Sequence, residues 1–135
     1  MEKILKALEA GIYELPNGVK VVITTPHPVN FYWEEAPDKC FVVPGSNILI
    51  NAKPVEAEVG QIGVAKLITT KFVGDKETKE ALKEFKARHP EVLVVGSIIA
   101  AQAYPGLVVG LVPAPGFERV PPAQKRMAPD KFNIY

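Results

Sequence analysis

The residues best equipped for chemistry lie together in the segment 26–38, where three consecutive aromatic side chains precede two glutamates. Aromatic rings offer flat faces on which a nucleobase can stack, and a carboxylate can accept hydrogen bonds from that base. Loops that sit on a rigid sheet often carry binding groups. One interpretation is therefore a ligand pocket at Tyr32, Trp33 and Glu34. The alternative is structural, with alternate aromatic side chains in the core and both glutamates solvated.

A small-molecule enzyme would draw on a second set of polar groups. Ser97 follows Gly96 after an apolar run, at a turn of the kind whose backbone N–H groups bind phosphate. Neither the dinucleotide-binding GxGxxG motif nor the phosphate-binding GxxxxGK[ST] motif is present. His27, Glu34 and Glu35 would complete such a pocket, which predicts a site between the 26–38 loop and the Gly96-Ser97 turn.

Metal and thiol chemistry have little support in the sequence. Cys40 is the only cysteine, which excludes an intrachain disulfide and a thiol cluster. A nucleophilic Cys40 would need a histidine nearby, and its strand-like surroundings favour a place in the core. His27 and His89 have no partner at ligand spacing, and His89 suits the C-terminal end of a helix. We expect no metal site and no cofactor.

The elements that must position these residues alternate between helical and strand patterns. Apolar residues at helical spacing predict helices over 2–14 and 76–88, the second capped by Asp75. Gly63 lies inside an apolar run, where glycine often marks a bulge or a bend. The predicted strands are 19–24, 39–43, 47–52, 61–73, 91–95 and 107–112, with loops at 26–38 and around Pro54 and Glu56, and with 97–104 as helix or strand.

These elements predict an α+β protein. The length of 135 residues suits one domain, and we expect 1–112 to form it, as a mixed curved sheet or small pseudobarrel of about five to six strands with two main helices. A layered α/β sandwich is the alternative. Residues 113–135 are proline-rich but too apolar for a disordered tail, which predicts an extended arm packed on the domain or on a neighbouring subunit.

The bulk composition limits the partners. The net charge is only +1, so a nucleic acid must be held by a local patch rather than by an overall field. The candidates for phosphate contacts are Lys66 and, in the tail, Arg119, Lys125 and Arg126. No run of about 18 apolar residues is present to cross a membrane, and we expect no membrane partner.

The expected location is the cytoplasm. The first residues lack the apolar region and cleavage site of a secretory signal, and the single cysteine suits a reducing compartment. The abundance of Lys, Glu and Val and the prolines in loops are typical of thermophilic proteins.

The segment 46–73 resembles part of a known family. The runs 48–52 and 62–67 are similar to the central strand pair of PUA-like barrels, especially the ASCH and EVE branches, over about a fifth of the chain. This resemblance implies a pseudobarrel that binds RNA or a modified nucleotide, with a cleft near Asn51, Lys53 and the aromatic loop. The GxKxxExR signature of ASCH proteins has no counterpart here.

Three functions stay open at this point. The first is a non-catalytic module that binds RNA or a modified nucleotide. The second is the small-molecule enzyme described above, so whether the protein is an enzyme is undecided. The third is a structural homo-oligomer joined by the C-terminal arm.

Overall fold

The computed structural model of the protein describes all residues, 1–135, and contains three α-helices and nine strands. None of the helices is long and apolar enough to span a bilayer. The helices are α1 (Glu2–Ala10), α2 (Lys76–Arg88) and α3 (Ile98–Ala103). The strands are β1 (Tyr13–Glu14), β2 (Lys20–Ile23), β3 (Val29–Tyr32), β4 (Cys40–Val43), β5 (Lys53–Ile62), β6 (Ala65–Val73), β7 (Val92–Val95), β8 (Gly110–Pro113) and β9 (Met127–Asn133).

The strands form three sheets, and none of them closes into a barrel. One has the order β1-β2-β7, with β2 and β7 parallel, and another has the order β4-β3-β9-β8. A bridge between Val95 and Val109 joins these two sheets. β5 and β6 pair only with each other. The α+β class is confirmed, whereas the pseudobarrel version of the prediction is wrong.

The three-stranded sheet is covered on both faces. Val22 and Val94 pack with the helices, in a cluster that contains residues of α1, α2 and α3. Val21, Ile23 and Val95 pack on the opposite side with residues of the four-stranded sheet. Burial on both faces explains why β7 is a continuous apolar run, as is usual for parallel strands. The body is therefore layered, with helices, three strands and four strands in that order.

The predicted helix over 2–14 is too long, because α1 ends at Ala10. Gly11 lies so close to the loop after β4 that an added Cβ would be 2.8 Å from the Cβ of Ser46. Tyr13 and Glu14 then form strand β1, which pairs with β2. The amphipathic spacing continued through Ile12, but a strand partner in space decided the conformation of these residues.

Helix α2 begins and ends as predicted. The Asp75 carboxylate accepts hydrogen bonds from the backbone N–H of Thr78 at 2.7 Å and from its hydroxyl at 2.8 Å. These bonds, with the backbone N–H of Thr78 as the largest cause, hold the pKa of Asp75 below its ordinary value of 3.8. At the other end, His89 is the C-cap, and its ring nitrogen lies 2.8 Å from a carboxylate oxygen of Glu9 in α1.

Replacing Asp75 with alanine is expected to lower the free energy of unfolding by about 1 kcal/mol, because α2 loses its N-cap acceptor. Since the folded-state pKa of Asp75 lies below its unfolded value, this contribution is complete above the unfolded pKa and is lost as pH falls through the folded one. In urea denaturation, the difference between wild type and variant should stay constant down to about pH 5 and shrink at lower pH. Asp75→Asn, which keeps an acceptor, is the control. A difference that grows in acid would contradict the assignment.

The segment 47–73 folds differently from the prediction. Residues 47–52 form no strand, and the region around Pro54 and Glu56, predicted as a loop, belongs to β5. Gly63 is not a bend inside a strand but the first residue of a two-residue turn, with φ of +59°. Such hairpin turns favour glycine at this position because L side chains are strained there. The result is a long β5–β6 hairpin.

Three further segments, predicted as a loop, as helix or strand, and as an arm, have defined elements in the structure. The 26–38 segment is not wholly irregular, since it contains β3, whose Val29 and Phe31 are buried. Residues 97–104 contain the helix α3. Within the proline-rich tail, β9 pairs with β3 on one side and β8 on the other, so this part of the tail lies against the rest of the chain. The predicted strands 19–24, 39–43, 91–95 and 107–112 are confirmed, with bounds shifted by a few residues.

Candidate functional site

A cleft of about 300 Å³ opens beside the aromatic segment. Such a volume is at the small end of the range for ligand pockets, which suits one ring system rather than a larger molecule. The cleft is formed where the end of β3, the end of β8 and the first half of β9 meet. It is lined by Tyr32, Trp33, Glu34, Glu35, Ala114, Pro115, Ala128, Pro129 and Asp130.

An irregularity in β9 creates one wall of the cleft. Leu111 of β8 pairs with Phe132, but Pro113 pairs with Met127, so four residues of β9 stand opposite the single residue Val112. The surplus residues 128–131 cannot all stay in the ladder, and Pro129 has no N–H to donate to it. The side-chain amide of Asn17 donates to the carbonyl of Pro129 at 2.9 Å, which ties this bulge to the body.

The opposite wall is a compact loop between β3 and β4. The backbone N–H of Trp33 donates to the carbonyl of Lys39 at 3.1 Å, which closes the loop at its base. Lys39 has a φ of +58°, a conformation that costs a non-glycine residue energy. The Tyr32 ring packs against Phe117 at a centroid distance of 5.9 Å. Trp33, next to Tyr32, is half-buried and lines the cleft.

Glu34 is engaged by its neighbours. Its carboxylate accepts a hydrogen bond from Lys39 Nζ at 2.7 Å and another from the Tyr32 hydroxyl. The bond from Lys39, followed by that from Tyr32, lowers the pKa of Glu34 below its ordinary range, and the same carboxylate raises the pKa of Tyr32. Glu34 therefore stays ionised at neutral pH and is poorly suited to donate a proton as a general acid.

Two other carboxylates in the cleft make no hydrogen bond or ion pair with the protein. These are Glu35 and Asp130, both exposed. Together with Glu34 they give the cleft three negative charges. The nearby positive charge of Lys39 is already paired with Glu34. The cleft is therefore locally negative and offers free acceptors beside an aromatic ring. Such a site can hold a flat ring that carries N–H donors or positive charge, and it repels phosphate.

The other predicted ligand-binding residues lie elsewhere. Asn51 and Lys53 line a separate depression of about 310 Å³ at the root of the β5–β6 hairpin. Ser97 is the N-cap of α3, and its hydroxyl accepts from the backbone N–H of Ala100 at 3.1 Å. His27 lines a third depression together with Lys125. Tyr32, Trp33 and Glu34 are brought together, whereas Asn51, Lys53 and Ser97 do not join them.

The predicted phosphate-binding cations are dispersed. Lys66 is exposed on β6, in a sheet separate from the cleft, and Arg119 is exposed in the tail. Lys125 Nζ donates to the carbonyl of Glu118 at 3.4 Å, and Arg126 Nη1 donates to the carbonyl of Lys125 at 3.3 Å. Arg126 directly precedes β9, so it is the one nearest in sequence to the cleft wall.

The sequence interpretation missed the second wall of the cleft. Asp130 was not among the candidate residues, and Pro115 and Pro129 counted only toward the proline content of the tail. Pro129 was the available signal, because a proline inside an apolar terminal segment is tolerated in a strand only at an edge or a bulge. Cys40 lies in β4, half-buried and opposite Tyr32. No group of three or more His, Cys, Asp or Glu side chains is placed to hold a metal ion.

Comparisons with protein-family models, with curated proteins and with solved structures find no match for this chain.

Proposed function

We propose that this chain is a binding module whose cleft at Trp33 holds a nucleobase, either free in a modified or ordinary nucleotide or exposed in single-stranded RNA. The observation that supports this most directly is that a half-buried tryptophan lines the same cleft as two carboxylates, Glu35 and Asp130, that have no protein partner. In this proposal the base stacks on the Trp33 ring, and its amino groups donate to the carboxylates.

The negative charge of the cleft predicts which bases should bind most tightly. Adenine, cytosine and guanine each carry an exocyclic amino group, whereas uracil carries none, so uracil should bind most weakly. A base with a positive charge, such as one methylated on a ring nitrogen, gains attraction to the carboxylates and to the face of the tryptophan ring. The phosphate groups must therefore point out of the cleft. Of the proposed phosphate contacts, Arg126 is the nearest in sequence to the cleft residues 128–130.

The fluorescence of Trp33 tests this directly, because it is the only tryptophan in the chain. Adenosine, cytidine and guanosine are expected to quench it saturably, uridine more weakly, and ribose 5-phosphate not at all. The full chain is titrated with each at low salt. A lack of quenching by every nucleoside at millimolar concentration, together with a lack of RNA retention at low salt, would refute base binding.

A second titration, with single-stranded RNA, distinguishes a base within RNA from a free nucleoside. A single-stranded RNA that binds more tightly than its nucleosides, and that is released as salt rises, would indicate that the tail cations contact phosphates. Equal affinities with no salt dependence would indicate a free nucleoside as ligand.

The small-molecule enzyme is the second candidate. An enzyme of this kind needs at least two of His27, Glu34, Glu35 and Ser97 in one concave site, and Glu34 and Glu35 both line the cleft. His27 and Ser97 are placed elsewhere, which leaves no serine, cysteine or histidine among the cleft residues. Base binding therefore has the stronger support.

A further inference from the structure

A second depression, of about 260 Å³, lies against the four-stranded sheet and is called here the basic depression. Its volume is below the usual range for whole ligands, which suits a small group such as a phosphate. His27 and Lys125 are its only ionisable side chains, so no carboxylate lines it. The full lining is Thr25, His27, Pro28, Val29, Asn30, Leu111, Pro122, Lys125 and Met127.

Three hydrogen-bond donors in the basic depression are free or nearly free. The Asn30 amide and the His27 ring make no hydrogen bond with the protein. Lys125 Nζ makes one long bond, to the carbonyl of Glu118 at 3.4 Å. The carboxylate of Glu118 accepts instead from the backbone N–H of Gly116 at 3.0 Å. An amide, an imidazole and an ammonium group can all donate to phosphate oxygens, which only accept.

The backbone holds these donors in place. The Thr25 hydroxyl donates to the carbonyl of His27 at 3.2 Å, which closes the turn that carries the imidazole. A Cβ added at Gly45 would be 3.1 Å from the carbonyl oxygen of Thr25, so this turn is closely packed. Asn30 belongs to strand β3, and the backbone N–H of Lys125 closes a short turn before β9. Donors fixed in this way lose little freedom when a ligand binds.

The basic depression adjoins the base cleft along two strands. In β3, Asn30 lines the depression and Tyr32 lines the cleft. Residues two apart in a strand share a face and lie about 7 Å apart, and the buried Phe31 between them agrees with this alternation. In β9, Met127 lines the depression and the next residue, Ala128, lines the cleft. This spacing is comparable to that between a base and the phosphate on its own ribose.

We propose that the basic depression binds the phosphate group attached to the ribose of the base held at Trp33. This inference rests on the proposed base binding and adds a site for the part of a nucleotide that the cleft repels. The three carboxylates of the cleft exclude phosphate. In the depression, Lys125 attracts the phosphate, and His27 and Asn30 donate to its oxygens. The phosphate belongs either to a free nucleotide or to single-stranded RNA.

Nucleotide affinities measured through Trp33 fluorescence test the proposal. The tighter-binding of adenosine 5′-monophosphate and adenosine 3′-monophosphate is expected to bind about tenfold more tightly than adenosine, the effect of one charge-assisted hydrogen bond. Lys125→Gln should reduce this ratio of affinities to about one, since it removes the charge that attracts phosphate. Lys83→Gln is the matched control, because it removes the same charge from an exposed position on α2 and should keep the ratio.

A short oligoadenylate distinguishes the two sources of the phosphate. An affinity above that of the mononucleotides, lost as salt rises, would identify RNA as the ligand. An affinity no higher than theirs would identify a free nucleotide.

Nuclear magnetic resonance of the isotope-labelled full chain separates this proposal from base binding. Ribose 5-phosphate has no base, and it is expected to shift the amide signals of 25–30 and 125–127 in the wild type and in Lys83→Gln, but less in Lys125→Gln. Such shifts without any nucleoside binding would support the phosphate site and refute base binding. Nucleosides and nucleotides of equal affinity, with no shifts from ribose 5-phosphate, would overturn the phosphate site alone. Equal affinity ratios in the two variants would also overturn it.

Discussion

Replacing Tyr104 with alanine is expected to lower the free energy of unfolding by about 3–5 kcal/mol, among the largest single effects in the chain. Tyr104 is only 1% exposed and belongs to the cluster between the helices and the three-stranded sheet. Its hydroxyl also accepts a hydrogen bond from the backbone N–H of Asp75 at 2.9 Å, directly before α2. Urea denaturation monitored by circular dichroism measures the loss, which is a large part of the stability of a typical domain.

The Tyr104 ring also packs against Gly74, the residue that directly follows β6 of the β5–β6 hairpin. A Cβ added at Gly74 would overlap the Tyr104 ring, so Gly74→Ala is expected to cost about 1–3 kcal/mol of unfolding free energy. In a Tyr104→Ala background the same substitution has room and should cost about 0.5 kcal/mol or less. Tyr104→Phe separates the hydroxyl from the ring, and its loss should be about 1 kcal/mol. Additive losses from Gly74→Ala and Tyr104→Ala would contradict direct packing.

Replacing Trp33 with alanine is expected to weaken the binding of adenosine or cytidine by roughly 10- to 100-fold, because stacking on an aromatic ring contributes about 1–3 kcal/mol per base. Isothermal titration calorimetry measures the affinity, since the variant has no tryptophan to report by fluorescence. Trp33→Phe keeps a flat ring and should recover most of the affinity.

Matched controls separate stacking from general damage. Tyr135 is an aromatic residue that is 46% exposed outside the cleft, and Tyr135→Ala should leave the affinity unchanged. Urea denaturation of Trp33→Ala checks that the fold persists. A folded Trp33→Ala variant with wild-type affinity would show that the base, if bound, does not stack at this cleft.

Part of the candidate site was readable from the sequence because its residues are neighbours in the chain. Tyr32, Trp33 and Glu34 were selected as a cluster, and they do line one cleft. Phe31 is buried in the core, as the structural interpretation predicts for part of the aromatic cluster, while Tyr32 and Trp33 line the cleft. Asp130 was missed because it is about a hundred residues away and reaches the cleft only through the pairing of β9 with β3.

The hairpin shows a different kind of failure. Val55 and Ala57 alternate with Glu56 and Glu58, which is a strand pattern, but Pro54 and the charges suggested a loop. Proline is tolerated there because β5 is an edge strand and Pro54 needs no partner on its free side. Local sequence does not distinguish an edge strand from a loop, since both carry prolines and charges.

The sequence by itself determined the local features whose causes lie within a few residues. These include α2 between its Asp75 cap and His89, the buried run of β7, the α+β class and the aromatic cluster at 31–33. Tertiary structure decided where α1 stops, which strands pair and which carboxylates meet Trp33. The physical reason is that burial and strand pairing depend on partners distant in sequence, and these outweigh intrinsic propensities of about 1 kcal/mol or less per residue.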